Sequence, residues 1–403
     1  MAAPEFDAST RSPAALAAIH RFGGELLSHG CHTSAIFEAL AADPDCAVAH
    51  AYAAALFLSL TTREGTIQAL PHLRAAAAQA KYASERERWI TAAIACWGAG
   101  DPGKAARLLS DIVTRWPHDV VSAKLCQILQ LASGEAGAMV RTASHAAAAD
   151  PNGYGAGLLA FALDQAGETD RAATLAARAV DRNPLTDPWA QHAMAHVHCA
   201  REDWIEGRAF LRAHAQSWER CSSFMLTHNW WHAALFALWL GDGEGALALF
   251  DDHVWGVRKG HCQDQINAVS LLARLEARGV HGGARWHDIA IHAGQRVGDA
   301  ISDFADLHYL YALTRAGEDG LAERLLRSLE IRGHADGSAL DQLARGVVAH
   351  ARGHYYSAAI ALGQARGGLA RLGGSQVQRR WFDELFVDGL ARARAGDGAR
   401  ACA

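Results

Sequence analysis

One feature constrains this 403-residue chain more than any other: helix-breaking turns recur at a nearly fixed interval. They fall at Gly100-Asp101, Gly134-Glu135, Gly167-Glu168, Arg201-Glu202, Gly241-Asp242, Gly279-Val280, Gly317-Glu318 and Gly353-His354, spaced 34, 33, 34, 40, 38, 38 and 36 residues apart. Glycine supplies the left-handed residue that ends a helix, and a following acid suits the start of the next. Between these turns Pro117, Pro151 and Pro184 lie 34 and 33 residues apart. Asp43-Pro44 and Asp187-Pro188 read as an N-cap followed by a first-turn proline. Each unit is thus helix, tight turn, helix, polar break.

Period-2 alternation is nearly absent, while Ala, Leu and Arg dominate, so the reading is all-α. The period is that of a tetratricopeptide-like α-solenoid of helix–turn–helix units. No linker divides the chain, so residues 1–403 read as a single helical-repeat domain. Residues 1–187 carry regular repeats of about 34 residues. Residues 188–403 carry longer, modified repeats, with no proline after Pro188, and are expected to close around a pocket.

A net charge of −5 offers no basic excess for nucleic acid or anionic membrane. No run approaches the length of a membrane span, and the N-terminal stretch lacks a charged segment followed by an apolar one. The eight cysteines, Cys31 to Cys402, form no C-x-x-C pair and read as small core hydrophobes. A reducing cytoplasm is the expected location. Walker, dinucleotide and nucleophile-elbow signatures are missing, and no cofactor is implied.

The stretch THNWWHAALFALWL at 227–240 spends imidazole and amide on a helix otherwise fit for a core, where polar groups need partners. Counting back from the turns gives a pattern. Nine residues before successive turns stand His192, His232, Ser270 and His308; twelve before stand Trp189, Asn229, Asn267 and Ala305; five before, His196, Phe236, Arg274 and Ala312. Offsets of three and seven share one helix face. The polar members should line the inner surface, with Trp231 or Trp230 as a wall. His192, His232 and His308, oriented by Asp264, are the candidate acid–base residues. Trp189, His196, His228, Asn229, Trp231, Asn267, Ser270, Arg274 and Asp306 are the candidate substrate contacts. His192/His196 and His228/His232 have the i,i+4 spacing that can chelate a metal. Without H-E-x-x-H or a carboxylate at a diagnostic spacing, they read as two ordinary helix-face pairs and no metal is expected.

The blocks AHVHCAREDWIEGRAFL, HNWWHAALFALWLGDGEGALALFDDHV, DQINAVSLLARLEARGVHGGARW, FADLHYLYALTRAGE and GGSQVQRRWFDELF, with RERWITAAIACWGAGDPGKAARLLSDIVTRWPHD upstream, resemble successive blocks of the tetratricopeptide repeat protein 38 family. The resemblance implies an all-helical repeat fold. It gives His192, His196, His228, Asn229, Trp231, His232, Asp264 and His308 as the characteristic positions; Ala305 stands where Asn is expected. It implies no reaction, because fold does not fix function. The function expected is binding of a small molecule in an interior His/Asn/Trp pocket, with histidine acid–base catalysis. The alternatives are a tetratricopeptide-type adaptor holding a peptide or protein partner in its groove, or a structural member of an assembly.

Overall fold

The computed structural model describes residues 8–336 and 339–401. Among them the secondary structure is helical, with one isolated bridge, Gly30 to Cys221. The helices form antiparallel pairs: Glu85–Gly98 with Pro102–Arg115, Val120–Ala132 with Ala136–Ala149, Tyr154–Gln165 with Thr169–Arg182. The same pairing continues with Asp303–Ala316 against Asp319–Asp336 and Leu340–Ala351 against Tyr355–Ala365. First helices also pack on first helices of neighbouring pairs, Val120–Ala132 on Tyr154–Gln165 and Asp303–Ala316 on Leu340–Ala351. This is the stacking of a tetratricopeptide-like array.

The turns explain the pairing. Gly100, Gly134, Gly167, Gly241, Gly279, Gly317 and Gly353 all have positive φ. The N–H of the following residue donates to the carbonyl five positions back, as Asp242 N does to Ala237 O at 2.9 Å and Glu318 N to Leu313 O at 2.9 Å. At the turn without glycine, Glu202 takes φ 59° and Asp203 N bonds His198 O. The left-handed residue is therefore Glu202 and not Arg201. Counted from it, Ala193 is the residue equivalent to His232, and His192 is equivalent to Trp231. The nine-before ladder His232, Ser270, His308 holds without its first rung. Asp43-Pro44 also departs from expectation. It forms a turn in which Asp43 accepts from Asp45 N at 3.2 Å, and the helix starts later, at Ala47.

The chain divides into two compact units, residues 1–229 and 230–403. The division falls within the unbroken helix Ser223–Trp239, later than the change in repeat length at 188. In the first unit, a core runs from Ala18 to Met225. Its beginning meets its end: Ser222 N donates to His29 O at 2.6 Å, and helix Pro13–Leu27 packs on Val120–Ala132. In the second unit, helix Cys262–Ala277 packs on the last helix, Gln376–Ala401. Cys46, Cys126, Cys199 and Cys262 are buried thiols, Cys31 is exposed, and Cys402 lies outside the described residues. No described helix is long and apolar enough to cross a membrane.

Candidate functional site

In the first unit, Asp187 caps helix Pro188–Arg201: its Oδ1 accepts from Ala190 N at 2.9 Å, and Pro188 holds the first turn. The helix so started carries His192 and His196 on one face. Helix Ser223–Trp239 brings His228 against them. His228 Nε2 stands 3.1 Å from His192 Nε2, and the His192 and His196 ring centroids are 4.6 Å apart. The three residues offer nitrogens within 4.8 Å of one another, and each is 3% exposed or less. His232, in the second unit, is fully buried.

The two helix-face pairs of the sequence are not separate in space, because His192, His196 and His228 converge. A carboxylate is also present. Asp164 Oδ2 lies 3.2 Å from His196 Nδ1 and accepts from Gln165 Nε2 at 2.8 Å. A carboxylate on one imidazole nitrogen fixes the tautomer and turns the other nitrogen's lone pair to a ligand. Asp164 sits near the end of helix Tyr154–Gln165, and its signal in the sequence was lost among ordinary helix-end acids.

A second polar group adjoins the first. Lys124 is 3% exposed, its Nζ donating to His29 Nε2 at 2.6 Å and standing 3.6 Å from the centre of the Trp189 ring. His29 stacks on Trp189 at 5.2 Å, and its backbone lies in the left-handed region at φ 52°. Trp189 in turn packs on His192, 4.5 Å between centroids. Burial pushes Lys124 down to about 7 and Asp187 up to about 7. Burial first, then the charges on Lys124 and His228, hold His29 well below its ordinary value. Asn229, fully buried, has neither amide atom hydrogen-bonded among the described residues.

The other sequence candidates lie in the second unit. Trp231 is fully buried and donates Nε1 to Ser270 Oγ at 3.2 Å. Arg274 stands over the Trp231 ring at 5.6 Å; its Nε bonds Glu384 Oε2 at 2.5 Å and a terminal nitrogen bonds Val377 O at 3.1 Å. Asp306 pairs with Arg332 at 2.5 Å, and Asp264 approaches His261 at 3.7 Å. Asn267 is fully buried beside them in sequence. His308 donates Nδ1–H to Phe304 O at 2.7 Å and packs 4.3 Å from Trp381; burial lowers it to about 3, so it is neutral. Trp230 stacks on His253 at 4.1 Å.

Sequence reading missed His29, Lys124, Asp164 and Asp187 as members of the polar interior. One signal was available. The chain has four lysines, Lys81, Lys104, Lys124 and Lys259, among 38 Lys and Arg residues, and Lys124 stands among apolar residues on a first helix.

No protein-family model matches the chain. Among solved structures, the crystal structure of the TPR domain of P58(IPK) aligns over 95% of this chain and 99% of its own, at 11% identity and a TM-score of 0.23. The assignment of an all-α, tetratricopeptide-like array rests on the helix pairing and the left-handed turns described above.

Proposed function

We propose that His192, His196 and His228 form a divalent transition-metal site, and that the protein performs metal-centred hydrolytic chemistry on a small polar molecule. The observation that carries the reading is the convergence of these three nitrogens, with Asp164 behind His196. Two imidazole nitrogens bound to one tetrahedral ion stand roughly 3.3 Å apart when each metal–nitrogen bond is ~2.0–2.1 Å. The separation of His192 and His228 is 3.1 Å. A hydrogen bond between the two rings satisfies one nitrogen of each, and the ion satisfies all three rings together.

The donor set fits a borderline ion such as zinc, cobalt or nickel, for which imidazole is a suitable ligand. When bound, such an ion acts as a Lewis acid and makes water a better nucleophile near neutral pH. Neutral imidazoles leave its positive charge undiminished. Asp164 holds His196 in the required tautomer, and Trp189 and Phe161 pack against the rings and exclude bulk water. Water would complete the coordination of such an ion. The adaptor reading gives these residues no role, since a peptide on the surface does not reach side chains that are 1–3% exposed.

The test is titration of chelated protein with Co2+ and Zn2+, read by cobalt absorption and by competition. The expected result is one ion per chain, with affinity lowered about 100-fold or more in His192→Ala and His228→Ala. Exposed His287 serves as the control. Binding that His287→Ala weakens equally, or no stoichiometric binding at all, refutes the proposal.

A further inference from the structure

We infer that Lys124 is a nucleophilic amine that forms a Schiff base with a small aldehyde or ketone. The inference goes beyond the metal reading and does not depend on it.

Choice of residue is the first observation. Of the four lysines in a chain that uses arginine for nearly all its cations, Lys124 alone is buried, and lysine is the one of the two able to lose its proton. The second is its surroundings. Nζ has no carboxylate partner among the described residues; what it touches is the His29 imidazole and the face of Trp189. Asp187, the acid whose charge it feels, spends Oδ1 on the helix cap, and its Oδ2 has no hydrogen-bond partner among the described residues. A desolvated amine in such a place carries a lone pair near neutral pH, and burial shifts Lys124 in that direction.

His29 supplies the third observation. A non-glycine residue at φ 52° costs backbone strain, and here the strain holds an imidazole nitrogen 2.6 Å from the amine. His29 is partly exposed and precedes exposed Cys31 and His32 by two and three residues. The amine therefore lies one side chain beneath a surface loop.

The step balances without an oxidant or reductant. Nζ attacks the carbonyl carbon, the N–C bond forms, and His29 Nε2 takes a proton from nitrogen and returns it to oxygen. Loss of the second amine proton forms the C=N bond as the C–O bond breaks. Both amine hydrogens leave on the carbonyl oxygen as water.

The experiment treats the purified protein at pH 7 with glyoxylate or glycolaldehyde plus cyanoborohydride, before and after chelation, and maps the reduced adduct over the four lysines by mass spectrometry. An ordinary lysine is only about 0.03% neutral at that pH. Lys124 should label at least about 10-fold faster than exposed Lys81 and Lys104. His29→Asn, which tolerates the left-handed backbone, should slow labelling while leaving the circular dichroism unchanged. Lys124→Arg should leave only slow labelling elsewhere. Labelling of Lys81 and Lys104 first, or of Lys124 only after denaturation, overturns the inference. Labelling unchanged by chelation separates it from the metal reading.

Discussion

Glu384→Ala offers a sharp test of how the second unit is built. Arg274 is 1% exposed at its side chain and Glu384 19%, with 2.5 Å between Nε and Oε2. Removing the carboxylate strands a guanidinium whose remaining hydrogen-bond partners among the described residues are the carbonyls of Val377 and Ser270. Breaking a buried pair from one side costs about 3–5 kcal/mol. Partial exposure and the Val377 bond place this case near the lower end, about 3 kcal/mol. Arg274→Met should cost less, about 1–2 kcal/mol, because it removes the buried charge. Glu384 then keeps Arg380 at 3.6 Å and its contact with solvent. Arg274→Met with Glu384→Leu should lie closer to wild type than Glu384→Ala does. Equilibrium urea denaturation, followed by circular dichroism, reads all three. A loss below about 1 kcal/mol for Glu384→Ala, or a larger loss for Arg274→Met, refutes the structural role. It would return Arg274 to the substrate contacts expected from sequence.

Asp164→Asn should weaken metal binding about 10–100-fold with little change in melting temperature, since it loosens the His196 ring without removing a ligand; competition titration reads it. Asp187 and Lys124 should give stability a minimum near pH 7. With Asp187 raised to about 7, the folded state holds more protons than the unfolded from about pH 4 to 7, and stability falls as pH rises there. With Lys124 lowered to about 7, the unfolded state holds more from pH 7 to about 10, and stability recovers. In denaturation curves taken across that range, Asp187→Asn should remove the falling limb and Lys124→Met the rising one. Gly155→Ala should destabilise by about 1–3 kcal/mol, because a Cβ there meets the Ala146 and Ala147 backbone at 2.9 Å. Gly24→Ala, with nothing within 4 Å, should stabilise by about 0.5–1 kcal/mol; thermal melts compare the two.

Local physics made the fold legible and tertiary closure hid much of the site. The glycine turns are a local signal, and each of the seven adopts the left-handed backbone its position requires. The i,i+4 pairs His192/His196 and His228/His232 were legible from helix periodicity alone. The approach of His228 to His192 was not, because it depends on packing between helices 36 residues apart in sequence. Lys124 meets His29 across 95 residues and Arg274 meets Glu384 across 110. Such pairs leave no periodic trace. The register error at 201–202 has a different origin. Glycine is the usual left-handed residue, and a sequence without one at that turn gives no marker for the shift to Glu202.

The measurement that bears most directly on the central claim is X-ray absorption at the zinc edge of protein loaded with one equivalent. The account predicts a first shell of nitrogen at ~2.0–2.1 Å with the outer scattering of at least three imidazoles, losing one imidazole in His228→Ala. A shell of oxygen atoms, or an imidazole count unchanged by that substitution, would contradict it.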